Sequence, residues 1–153
     1  MGGVTEPARI VDVGDKQITD REATAEATIT MSPEACARVL AGTKKGNAVE
    51  AARIAALQAV KRTPELLPFC HPIALTGAEV VVEPDAAAGR IRVVVTVRAT
   101  DRTGVEMEAL TGSAVGALCL YDTAKAHDRE AVIGPVQLVA KSGGRSGLYR
   151  RDG

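Results

Sequence analysis

Between Ala23 and Met31 every odd position is apolar (Ala23, Ala25, Ala27, Ile29, Met31), and the even positions are Thr24, Glu26, Thr28 and Thr30. A period of two sets one face of an extended chain against a core and the other toward water. Alanine prefers helix, but a helix would scatter these apolar side chains around its axis. The alternation therefore outweighs the propensity, and the segment is predicted as a strand with one buried face. Whatever this chain folds into must contain a sheet, and a layer to cover one side of it.

The flanking segments supply that layer. "SPEACARVLAG" predicts a short helix, with Ser32 as N-cap, Pro33 at the first helical position and Gly42 past the end. A second helix opens at Asn47, with Glu50 three residues on in a capping-box-like pair, and is expected to stop before Pro64. "EVVVEP" and "RIRVVVTVRA" read as paired strands around the turn "DAAAG", with Ile91, Val93, Val95, Val97 and Ala99 sharing one face. A long helix is predicted over about Ala109 to Ala126, and "VQLVAK" as a last strand. From Gly143 onward the chain reads as a glycine-rich loop and a loose tail. One domain over 1–153 is expected, with loose termini at about 1–10 and 148–153. Strand, helices, strand, strand, helix, strand is the split βαβ order of an α+β, ferredoxin-like sandwich: a four-stranded antiparallel sheet with helices on one face.

Composition narrows the function. Apolar residues make up 46% but aromatics only 2%, so the core must be Ala, Val, Leu and Ile. Alanine buries little area at roughly 25 cal/mol per Å², so further burial against copies of the chain is expected. Nineteen basic residues balance nineteen acidic ones. That balance and the shortage of stacking aromatics argue against a nucleic-acid partner. Three cysteines without paired spacing fit a reducing compartment. No run approaches the ~20 apolar residues of a membrane span. The first residues lack the apolar region of a secretory signal, so a cytoplasmic location is expected.

Chemistry-bearing residues gather in a few places. Helical spacing from Val115 runs through Leu118 to Asp122 and Lys125, so an apolar stripe ends in a carboxylate and an ammonium. This is either a solvated surface pair or a pair whose lysine is tuned for proton transfer by charge and desolvation. The same line traced backward reaches Glu108, beside Met107 and Glu106. If that stretch is extended the two carboxylates share a side, and if helical they diverge; solvated acids at a strand end are the plainer reading. Glu108 and Lys125 lie roughly 25 Å apart along a helix at ~1.5 Å per residue. Both can serve one small-molecule site only if two subunits build it. Gly112 and Gly116 would admit either another chain's backbone or the chain's own sheet.

Lys45 precedes a helix N-terminus that favours anions. "KSGGRSG", from Lys141, combines glycines with two cations but lacks P-loop spacing. In "LLPFCHPIAL", Pro68 and Pro72 stiffen the backbone around Phe69, Cys70 and His71. Adjacent residues in extended backbone point to opposite sides, so Cys70 and His71 make a poor metal site or nucleophile–base pair. Two readings stay open: a rigid loop presenting His71 as donor or proton carrier, and a turn with a buried cysteine.

Taken together and in order, "KKGN", "PFCHP", "TGVEMEAL", "YDTAK", "VIGPV" and "AKSGGRSG" closely resemble the cyclic pyranopterin monophosphate synthase family, the molybdenum-cofactor biosynthesis protein C family. The resemblance runs from about Val11 to Gly147. It implies a lyase that converts 3′,8-cyclo-7,8-dihydroguanosine triphosphate, the cyclised GTP product of a partner radical enzyme, into a cyclic pyranopterin phosphate with release of diphosphate. It also implies a homohexamer, a trimer of dimers with sites between ferredoxin-like subunits. By matching position, Asp122 and Lys125 resemble the catalytic acid–base pair and Lys45 the essential lysine. Phe69, Cys70, His71, Met107 and Glu108 resemble substrate-binding segments, with Glu106 nearby, and Arg21 and Lys141 fall where the family has basic residues. Phe69 stands where leucine is frequent, Asn47 where aspartate often follows the Lys-Gly, and Arg145 where lysine is frequent. No metal ligand and no resident cofactor are implied, and whether magnesium accompanies the triphosphate is left open by the sequence. Two rival readings remain: a nucleotide-binding regulatory module, and a metal-dependent hydrolase built on Glu106, Glu108 and His71.

Overall fold

The computed structural model describes residues 6–152; the expected loose start of the chain lies partly outside them, at residues 1–5. Among the described residues the order is β1 (Thr19–Thr30), α1 (Pro33–Ala41), α2 (Ala48–Leu66), β2 (Leu75–Asp85), β3 (Arg90–Asp101), α3 (Glu106–Ala124), β4 (Val132–Ser142) and β5 (Tyr149–Arg150). All strand pairings are antiparallel, and the sheet order is β2-β3-β1-β4-β5. The first four strands are those expected, and the arrangement is an α+β sandwich of ferredoxin-like kind. The fifth strand corrects the count of four. It forms within the expected loose tail because Tyr149 and Arg150 pair with Lys141 and Ala140 at the β4 edge.

The alternation in β1 does what a period of two requires. Ala23, Ala25, Ala27 and Ile29 are fully buried against the helices, as are Ile91, Val93, Val95 and Val97 of β3. On the open face Glu26 binds Arg92 and Gln137, Arg92 reaches Glu83, and Arg98 reaches Glu22. Strands β1 and β3 pair from Thr19–Asp101 to Thr30–Arg90 without a slip. That register aligns their apolar faces residue for residue.

Small residues let the helical layer pack closely. Ala48, Ala52, Ala56 and Ala59 of α2 are buried. A Cβ on Gly112 would lie 2.7 Å from the Val60 side chain, and one on Gly116 would lie 2.9 Å from Val93. Both glycines therefore face α2 and β3 of their own chain, which settles the choice between own sheet and foreign backbone. Ser32 caps α1 by accepting from the Ala35 N–H at 3.1 Å, and Asn47 caps α2 by accepting from the Glu50 N–H at 3.1 Å.

Helix α2 runs past Pro64 instead of stopping before it. Its last turn survives because the Leu67 N–H reaches the Thr63 carbonyl at 2.9 Å, while the Thr63 hydroxyl donates to the Ala59 carbonyl at 2.8 Å. The chain turns extended only at Leu67, the residue before Pro68, where the proline ring disfavours helix. Helix α3 begins three residues earlier than expected, at Glu106, and ends at Ala124.

Candidate active site

The residues singled out from the sequence fall into three groups. At the C-terminal end of α3, Asp122 accepts from two ammonium groups at once. Lys45 Nζ lies 3.0 Å from Asp122 Oδ2 and 3.0 Å from its backbone carbonyl, and Lys125 Nζ lies 2.5 Å from Oδ1. The hydrogen bonds from Lys125 and then Lys45, with their charges, hold the Asp122 carboxyl well below its ordinary range, at about 2. Lys45 reaches this helix from a tight loop between α1 and α2. Thr43 and Gly46 exchange backbone hydrogen bonds at 3.1 and 2.9 Å, and the Lys45 N–H donates to Thr43 Oγ1 at 3.2 Å. Gly46 has φ +104°, a conformation that side chains disfavour. Within one chain all three side chains are at least half exposed. A single copy thus presents the solvated pair.

Around the N-terminal end of α3, Arg21, Glu106 and Lys141 line a cleft of about 790 Å³ together with Lys16 and Arg145. Lys141 Nζ lies 3.8 Å from Glu106 Oε1 and donates to Ser146 Oγ at 2.7 Å. The Arg21 Nε–H donates to the Asp101 carbonyl at 3.0 Å. The glycines of the β4–β5 connection make room for this arginine. A Cβ on Gly144 would sit 2.2 Å from the Arg21 guanidinium, and one on Gly143 would sit 2.1 Å from the Asp20 carbonyl. Sequence reasoning missed Lys16, which stands in no pattern, and noted Arg145 only as a cation among glycines where the family often has lysine.

The third group lies beside the second. Glu106 and Glu108 are helical and diverge, and Glu108 is 1% exposed. This corrects the reading of Glu108 as a solvated acid, while Glu106 stays partly exposed at the cleft. Positions 108, 112, 116, 120 and 124 form one line at i,i+4 spacing, and every residue on it is buried. That line was the available signal. Cys70 Sγ donates toward Glu108 Oε2 at 3.8 Å, while Oε1 has no partner among the described residues. Burial, the leading cause, raises the Glu108 carboxyl above its usual range. Burial and the neighbouring Glu108 push the Cys70 thiol up to about 11, so it stays protonated at neutral pH and is a weak nucleophile. Phe69 and Met107 are exposed and His71 is partly buried.

No three His, Cys, Asp or Glu side chains converge as metal ligands among the described residues. The divergence of Glu106 from Glu108 removes the pair on which a hydrolase site would depend. No helix among the described residues is long and apolar enough to cross a membrane.

The first group is thus separated from the other two by most of α3, roughly 21–24 Å from Glu108 or Glu106 to Asp122 at ~1.5 Å per residue. One small molecule cannot touch both ends within one chain.

Comparisons with known proteins agree with the ordered motifs. The cyclic pyranopterin monophosphate synthase of Pelotomaculum thermopropionicum is 50% identical over 147 residues, covering 95% of this chain and 86% of that protein. The proteins of that name from Parvibaculum lavamentivorans and Geobacter sulfurreducens are 50% and 49% identical, covering 94% and 95% of this chain and 90% and 91% of theirs. A family model, described as the MoaC family, matches residues 10–144. With that match over most of its length and relatives at half identity, the chain belongs to the MoaC family and is an enzyme of it.

Proposed function

We propose that this enzyme is a cyclic pyranopterin monophosphate synthase in molybdenum cofactor biosynthesis. Its substrate would be (8S)-3′,8-cyclo-7,8-dihydroguanosine 5′-triphosphate, supplied by a radical enzyme. The purine is rearranged to a pyranopterin, a hydroxyl of the sugar-derived part attacks the α-phosphorus, and the bond to the departing diphosphate breaks. The observation that carries the reading is the pairing of relatives of that name with two complementary half-sites at opposite ends of α3.

The half-sites suit the chemistry. A triphosphate needs converging cations, and Lys16, Arg21, Lys141 and Arg145 line one cleft. Repeated proton transfers need groups that can give and take protons. Lys125 and Lys45 serve there as ammonium donors held by Asp122, which stays ionised and orients both. Glu108, whose carboxyl burial raises above its usual range, keeps one oxygen without a partner among the described residues and so open to the pterin-forming end, with His71 in the adjoining loop.

A complete site then takes the Lys45–Asp122–Lys125 group from one subunit and the cleft from another. Such a pairing within a homohexamer, a trimer of dimers, is part of the proposal. The separation of the two half-sites along α3 supports it, because neither end can reach the other within one chain.

The test is incubation with the cyclised substrate, reading pterin fluorescence after oxidation and diphosphate release. Stoichiometric appearance of both is expected. Tight binding of the substrate with neither product would replace the proposal with a nucleotide-binding module.

A further inference from the structure

Asp101, the last residue of β3, stands in none of the motifs that carry the resemblance, yet it bonds Arg21 of the cationic cleft and Ala74, three residues past His71. Its backbone carbonyl accepts from Arg21 Nε at 3.0 Å and so holds the guanidinium at the cationic cleft. Its carboxylate accepts from the Ala74 N–H at 2.8 Å through Oδ2 and from the Arg102 N–H at 2.7 Å through Oδ1.

The bond to Ala74 matters because of what precedes it. Between the end of α2 and the start of β2 the chain passes through Pro68, Phe69, Cys70, His71, Pro72 and Ile73. On the entry side the Cys70 N–H returns to the Leu67 carbonyl at 3.1 Å. The two prolines fix their own φ angles but supply no N–H. On the exit side the Asp101 carboxylate takes the Ala74 N–H across a sequence gap of 27 residues. A charged acceptor on a backbone N–H is among the stronger hydrogen bonds available to such a loop. That bond and its partner at Arg102 hold the Asp101 carboxyl below its ordinary range.

We propose that Asp101 is a positioning residue: its carboxylate anchors the His71 loop while its carbonyl anchors Arg21, so the parts of the pocket meeting the two ends of the substrate keep a fixed spacing. The inference rests on the function proposed above. It implies that loss of the carboxylate alone loosens the loop and leaves the main-chain hydrogen bond to Arg21 in place, removing from the arginine only a through-space attraction. Removing interactions made equally in ground and transition states raises KM and spares kcat.

The experiment compares wild type, Asp101→Ala and Asp101→Asn in steady-state turnover of the cyclised substrate, in thermal melting, and in amide exchange across residues 69–75. Asn keeps one oxygen that can accept from Ala74. We expect Asp101→Ala to raise KM roughly tenfold, with kcat little changed, and to speed exchange at Ala74. Asp101→Asn should fall between it and wild type on both readouts. Unchanged KM and unchanged loop exchange in Asp101→Ala, with wild type active, would overturn the inference. If Asp101→Ala does not fold, Asp101→Asn decides, since it must still raise KM and loop exchange by part of the effect. Should wild type make no pyranopterin, the proposed function fails by itself, and faster exchange at Ala74 remains the measure of the anchor.

Discussion

With both oxygens of Asp122 occupied by Lys45 and Lys125, the carboxylate serves as a fixed anion that aims two ammonium groups. Lys125→Ala should lower turnover by roughly 10²–10⁴-fold, the scale of a positioned acid or base, while size-exclusion elution stays unchanged; pterin fluorescence measures it. The folded carboxyl of Asp122 lies at about 2, below the unfolded value. Its contribution to stability is therefore full above the ordinary aspartate range of about 3.9 and is lost as pH falls from there through about 2. Glu108 behaves oppositely. Its folded carboxyl is raised by burial, so its contribution is full below the ordinary glutamate value of about 4.3 and is lost as pH rises through the raised value. Glu108→Gln should therefore gain stability relative to wild type across that window, and the gap should stop growing above it. Urea midpoints at a series of pH values test this, and a constant gap would contradict a buried, titrating Glu108.

Strands were legible from the sequence because a period of two survives even in an alanine-rich segment, and the faces of β1 and β3 followed from it. Helix ends were less so. Pro64 reads locally as a stop, but a proline in the last turn forfeits only one hydrogen bond, and the Thr63 bonds on either side carry the helix on to Leu66. The contact of Lys45 with Asp122 spans 77 residues and lay beyond any local pattern; only the resemblance had put both on one list. Residues Gly112 and Gly116 show what the helical layer depends on. Gly112→Val would drive atoms into Val60 and the Ala56 carbonyl and should cost roughly 1–3 kcal/mol through overpacking. Ser32→Ala, which removes only a cap, should cost about 1 kcal/mol. Urea unfolding of both variants checks the order, and a milder effect for Gly112→Val would mean that α2 can move away from α3.

At the scale of the whole molecule, α3 is a spacer that keeps the Lys45–Asp122–Lys125 group and the cationic cleft roughly 24 Å apart. A site that needs both must come from two copies, and the division makes each half removable by itself. Lys125→Ala disables one half-site and Arg21→Ala the other. In a mixed pair of these two variants, one shared site carries both defects and the other carries neither. The most direct measurement is therefore turnover by assemblies co-expressed from the two variants under different tags and purified through both. Random pairing within a hexamer predicts recovery to roughly a quarter of wild-type activity, and a strictly mixed pair roughly half, far above either variant alone. Mixed assemblies no more active than their parents, or a wild-type single chain fully active when unassociated, would contradict the shared site.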